Sequence, residues 1–238
     1  MLYRYGRVMS ALALTALAAT ACGSGSTRAE PATPQAPASH SPKQLQQALL
    51  NPDDLPGEYR PITEPTSAPV TRLTTQKYLK KLRKSKISKP GCTNFYMRAL
   101  GSATLLEKLR NETAAIVSLA GKDRIVSEAL VSVPPDMKLT ILRQGFRPDC
   151  AEFTMTLPSG QKLQISVQRL DVTQLGNRTT SYRIVRTVDD RKLYLVNQVV
   201  RLEGAMLNVG IRGPEPIDTA SLEKVAKTAY LKARGRLR

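Results

Sequence analysis

Two Ser-x-x-Lys spacings, Ser159 to Lys162 and Ser221 to Lys224, come nearest to a catalytic motif in this chain of 238 residues. On a helix that spacing sets a lysine one turn from a serine hydroxyl, where a neutral amine could take its proton. Ser159 sits in Pro158-Ser159-Gly160, the composition of a hairpin turn, which does not hold helical geometry. Ser221 falls in the first turn of an amphipathic helix, where Ser and Lys are routine, and neither pair has the companion motifs. Asp53-Asp54 and Asp189-Asp190 are adjacent carboxylates, whereas paired acid/base work needs carboxylates that face each other. Turn formation explains both. A Ser-His-Asp triad or a Cys-His pair would have to use His40, the single histidine, which lies in a Pro-rich stretch. Zinc sites, which draw on several His and Cys, run short for the same reason. The expectation is a protein that is not an enzyme and uses no metal or cofactor.

The three cysteines read differently. Arg4 and Arg7 precede an apolar run from Val8 to Ala18, which is too short for a transmembrane helix of about 20 residues. The run ends in Leu17-Ala18-Ala19-Thr20-Ala21-Cys22-Gly23-Ser24, which resembles the bacterial lipobox; Ala19 stands where Leu is commoner. Residues 1–21 are then a lipoprotein signal peptide and Cys22 the lipidated N-terminus of the mature chain. Diacylglycerol plus an N-acyl chain meets the two-chain requirement for stable anchoring. The alternative is an ordinary cleavable signal in which Cys22 is accidental. Residues 22–42 form the anchor and a flexible linker, with Pro31, Pro34, Pro37 and Pro42 among Gly, Ser, Thr and Ala. Cys92 and Cys150 remain. In an exported domain they are most simply a disulfide closing a loop of 57 intervening residues, and the alternative is a free reactive thiol.

Charge is the next signal. The chain carries 36 Lys and Arg against 19 Asp and Glu. Arg72 to Lys89 contains eight basic residues and no acid, among them Lys77, Lys80, Lys81, Arg83, Lys84 and Lys86. The bland reading is a solvated helix face. The sharper one is contact with anionic lipid headgroups or anionic wall polymers beside the anchor, at about 1 kcal/mol per basic residue near a membrane. Nucleic acid is the usual inference from such a charge, but export and the lack of any nucleic-acid module argue against it.

The elements that must position these residues follow from periodicity. Pro42 to Leu50 reads as an amphipathic helix with Leu45, Ala48 and Leu49 on one face, ended by Asn51-Pro52-Asp53-Asp54-Leu55-Pro56-Gly57. Residues 58–71 look irregular. Gln76 to Lys86 reads as a basic helix, and Thr93 to Leu109 as another with Phe95, Leu100 and Leu106 in the core. From Thr113 the period becomes two: strands around 115–119 and 125–133, then a helix from Pro134 to Phe146. A hairpin follows, Phe153-Met155-Leu157 against Leu163-Ile165-Val167, and then strands near 180–188, 192–202 and 205–212. Asp218 caps a last helix to about Arg236 that buries Leu222, Val225, Ala229 and Leu231. Short turns imply antiparallel pairing. The expectation is an α+β domain over 43–238: an antiparallel sheet of about seven strands with N-terminal and C-terminal helices covering one face.

Four features recur together in order over about residues 43–235: the Leu50-Asn51-Pro52-Asp53-Asp54-Leu55-Pro56-Gly57 start, the two cysteines straddling helix–strand–strand–helix, Leu175-Gly176-Asn177 before a strand, and Leu207-Asn208-Val209-Gly210 before a last helix. This layout resembles the extracellular sensor-like domain of mycobacterial Ser/Thr kinase H and the actinobacterial lipoproteins that share it. The resemblance implies extracytoplasmic binding rather than a reaction, and supplies no ligand residues. It also implies two disulfides around a cleft in the kinase; this chain has cysteines for one. The reading is a non-enzymatic lipoprotein on the outer face of the cell membrane, a sensor-like module for a small lipid or cell-wall precursor. The rival is a structural or adhesive protein whose basic face holds an anionic polymer. Oligomeric state is not legible in the sequence.

Overall fold

Each apolar-alternating run of the sequence is a strand, and short turns fold the runs onto one another. In the computed structural model, which describes residues 40–73, 84–100, 109, 111–134, 137 and 145–237, nine strands form one sheet. They are β1 (Arg60–Pro69), β2 (Lys86–Ile87), β3 (Thr113–Ala120), β4 (Ile125–Ser132), β5 (Glu152–Thr156), β6 (Lys162–Arg169), β7 (Arg178–Val188), β8 (Arg191–Arg201) and β9 (Ala205–Gly213). Their order is β1-β3-β4-β9-β8-β7-β6-β5-β2, and every pairing is antiparallel. Among the described residues the helices are α1 (Pro42–Ala48), α2 (Thr93–Ala99) and α3 (Thr219–Arg236), with a single helical turn at Val70–Leu73.

The α+β class and the antiparallel sheet agree with the sequence reading; the strand number does not. β1 occupies a segment that reads as irregular because Pro61, Pro65 and Pro69 interrupt it. It is an edge strand pairing only with β3, where missing N–H groups cost nothing on the open side, and its register shifts twice between Pro61 and Thr66. β2 is the opposite edge. Lys86 therefore opens a strand against Thr156 instead of ending a basic helix. Most of that helix, and most of the one expected over 134–146, lie outside the described residues, as does Leu106.

Caps and turns follow local chemistry. Ser41 and Gln44 form a capping box at α1, with Pro42 in the first turn. Asp218 accepts from the Ser221 N–H at 2.6 Å and caps α3. Asp189 and Asp190 both take positive φ, 46° and 61°, in the two-residue link from β7 to β8. Type I′ geometry demands this to match strand twist.

Burial departs from the expectation that helices cover one face. α1 and α3 lie on the face carrying Val117, Leu119, Val126, Leu130, Val196, Val200, Leu207 and Ile211. Tyr182 and Ile184 point the other way, since they pair with Asn197 and Leu195, which alternate with Val196. On that second face α2 packs Phe95, Tyr96, Met97 and Ala99 against Phe153, Met155, Ile165, Val167, Tyr182 and Ile184. The sheet is a middle layer between helices. On α3, Leu222, Val225 and Ala229 are buried as expected. Leu231 is 54 % exposed, and Ala226 and Ala233 complete the buried stripe at helical spacing. No described helix is long and apolar enough to cross a membrane.

Candidate ligand-binding surfaces

Cys92 and Cys150 are joined, with Cα atoms 5.3 Å apart. Each ends a 3-10 turn opened by proline, Pro90–Cys92 and Pro148–Cys150. The two turns are cross-tied. Lys89 Nζ donates to the Asp149 carbonyl at 2.9 Å, and Arg147 donates to the Gly91 carbonyl at 3.1 Å and to the Asp149 carboxylate. The Arg147 hydrogen bond holds the Asp149 carboxyl below the usual carboxylate range. Cys92, Asp149 and Cys150 bring three potential metal ligands together. With both sulfurs in the disulfide, only one carboxylate is left to bind a metal.

The disulfide end opens onto one sheet face whose outward side chains are hydroxyls, carboxamides and lysines. Lys86 pairs with Thr156, and Thr156 with Lys162, so two exposed lysines flank a threonine in one row. In the next row Thr154, Gln164, Thr187 and Lys192 are successive partners. A shallow groove of about 510 Å³ runs here between Lys89, Thr154, Gln164, Ser166 and Thr187. Glu152 is its one acid. Of the basic residues singled out in sequence, Lys84 and Lys86 are exposed at this edge; Lys77, Lys80, Lys81 and Arg83 lie outside the described residues, as does Cys22. The lysines of β6 and β8 are partners that the sequence reading did not find. Strand register alone brings them beside Lys86.

The serine–lysine pairs do not assemble a nucleophile. Ser159 is in the β5–β6 turn. The Ser221 hydroxyl donates to the Asp218 carboxylate at 2.7 Å, so it serves the helix cap. Ser221 and Lys224 line a groove of about 460 Å³ with Tyr59, Lys122, Asp123 and Arg124. Asp123 there is held below the usual carboxylate range by its hydrogen bond from Arg124. His40 Nε2 lies 3.5 Å from the Glu203 carbonyl, at the β8–β9 turn and away from both serines.

No protein-family model and no curated protein matches the chain. Solved structures that share its fold include two mycobacterial proteins. The crystal structure of the extracellular domain of PknH from Mycobacterium tuberculosis superposes with a TM-score of 0.55 at 12 % identity, covering 83 % of this chain and 98 % of that one. An X-ray structure of a Mycobacterium smegmatis protein, an ortholog of Rv0999, gives 0.52 at 17 % identity, with 83 % and 98 % covered. At these identities the likeness is one of fold, and it agrees with the layout that the sequence motifs suggest.

Proposed function

We propose that this chain is a non-enzymatic, extracytoplasmic lipoprotein: signal peptide over 1–21, acylated Cys22 and linker over 22–42, and a sensor-like binding domain over 43–238 on the outer face of the cell membrane. The observation that carries the reading is the fold shared with an extracellular domain over 83 % of the chain. The Cys92–Cys150 disulfide supports it, since such bonds persist outside the reducing cytoplasm. The ligand is a small lipid or cell-wall precursor. No nucleic acid and no cofactor enter this reading.

A second reading is favoured by the row Lys86–Thr156–Lys162 and its neighbour Lys192. This face would hold anionic lipids or wall polymers close to the anchor, with no discrete pocket. Such binding weakens steeply with salt.

Native mass spectrometry of the full-length protein recovered from its own envelope separates the two. A discrete added mass that survives high salt is expected for the binding module. Bare protein that retains anionic polymer only at low salt supports the adhesive reading. Fatty-acid labelling that persists in Cys22→Ala overturns the anchor.

A further inference from the structure

The second sheet face carries two guanidiniums, Arg98 and Arg169, that pair with no acid among the described residues. Arg169 on β6 is the cross-strand partner of Tyr182 on β7, so both side chains stand on the face covered by α2. Arg98 lies one turn beyond Phe95 on α2, half-buried, and is close enough to Tyr182 for the two to act on each other electrostatically. Phe95 meets Tyr182 edge-on at 5.9 Å between ring centroids, and meets Phe146 at 5.7 Å. Arg147, next to Phe146, adds a third guanidinium that also acts on Arg98, but it is already engaged by Asp149 and Gly91. Among the described residues no carboxylate pairs with Arg98 or Arg169; the ion pairs present are Asp123–Arg124, Asp149–Arg147 and Asp54–Lys232. Burial, with Tyr182 opposing and Arg147 adding to it, holds the Arg98 guanidinium below its ordinary range.

We propose that Arg98 and Arg169, which both act on Tyr182 beside the Phe95–Phe146 edge, bind the phosphate of an organic phosphate ester. This rests on the binding-module reading and names its ligand class. The planar fork of a guanidinium matches phosphate oxygens bidentately, and two forks together with a phenol offer donors to one tetrahedral anion. A half-desolvated cation without a counter-ion carries a cost that a bound anion offsets. The aromatic edges alongside suit an apolar or ring-bearing ester substituent better than free phosphate. The lysine row of the opposite face offers no half-buried cation comparable to Arg98: Lys86, Lys162 and Lys192 are all exposed.

The test is calorimetric titration of the full-length protein with phenyl phosphate and with inorganic phosphate, and sedimentation with phosphatidylglycerol vesicles. One-to-one binding of phenyl phosphate, tighter than inorganic phosphate, is expected. Arg98→Gln and Arg169→Gln should each raise Kd at least tenfold, Arg98→Lys several-fold, and Arg191→Gln, at the exposed first residue of β8, not at all. Arg169 is exposed, so its variant should fold even if Arg98→Gln does not. Vesicle binding lost in both arginine variants assigns the phosphate to a lipid headgroup; binding of phenyl phosphate without vesicles assigns it to a soluble ester. No binding of phenyl phosphate, or equal binding by the glutamine variants, overturns the proposal. A phosphorus-free ligand recovered from the envelope would sink this site and leave the binding-module reading standing. Bare protein from the envelope that still binds phenyl phosphate through these arginines would support the site and remove the resident-ligand reading.

Discussion

The carboxyl of Glu128, in the middle of β4, accepts a hydrogen bond from the backbone N–H of Leu50 at 2.6 Å. Across 78 residues of chain it fastens the corner where α1 passes into the Pro52–Asp54 turn. Glu128 is only 2 % exposed, and it sits among Val126, Leu130 and Val209 on the face under α1 and α3. Burial pushes its carboxyl up to about 8; the Leu50 N–H and Lys232 pull it down, and Asp54 pushes it up.

That shift sets a pH dependence. Below its ordinary value of 4.5 the carboxyl is protonated whether the chain is folded or not. Between 4.5 and about 8 the unfolded chain releases a proton that the folded one keeps, so stability falls as pH rises through this window. The limiting slope is about 1.4 kcal/mol per pH unit. Glu128→Gln keeps an oxygen for Leu50 but cannot ionise. Urea midpoints at pH 5, 6, 7 and 8 should decline for the wild type and stay flatter for the variant. Parallel declines would show that Glu128 is not the titrating group.

Removing the disulfide should lower stability by about 4 kcal/mol, from the chain entropy regained by a 58-residue loop in the unfolded state. Thermal unfolding with and without reductant, and of Cys92→Ser/Cys150→Ser, measures this. A melting temperature unchanged by reduction would mean that the cross-ties from Lys89 and Arg147 hold the two turns unaided.

Gly176 has φ of +58°, and a Cβ built there would strike the Arg201 carbonyl oxygen and press on Val200. Gly176→Ala combines left-handed backbone strain with a backbone clash and should cost about 2 kcal/mol or more. Chemical denaturation reads it directly; a change under 0.5 kcal/mol, about the size of an ordinary surface substitution, would refute the assigned geometry.

The Asp189-Asp190 turn holds two left-handed residues without a glycine. Changing it to Asn-Gly matches the preferred type I′ pair and should stabilise by about 0.5–1 kcal/mol. A lower urea midpoint in Asp189→Asn/Asp190→Gly would argue that the carboxylates themselves hold the turn.

What was legible in the sequence was local. The β5–β6, β7–β8 and β8–β9 hairpins, the Asp218 cap and the buried stripe of α3 are written within a few neighbouring residues, because period and turn chemistry act at short range. Leu231 was misplaced because it sits at the border of that stripe, where small Ala226 and Ala233 fit closer to the sheet. Of the candidate site, the disulfide was legible from cysteine count, and the edge lysines Lys84 and Lys86 from their charge run. Lys162 and Lys192 were not, since each is an unremarkable polar position until strand register sets it in a row with Lys86.

The sequence by itself determined the class of fold, the succession of hairpins and the poverty of catalytic groups, all of which depend on residue type and spacing alone. Only tertiary structure decided the rest. It made the proline-broken segment Arg60–Pro69 an edge strand, because β3 offers it a partner and no other described strand pairs beyond it. It put helices on both faces of the sheet, buried Glu128 against Leu50, and brought Arg98 and Arg169, far apart in the chain, within electrostatic reach of Tyr182. Each of these needs segments far apart in the chain to meet, and the free energy that joins them belongs to the contact and to neither segment alone.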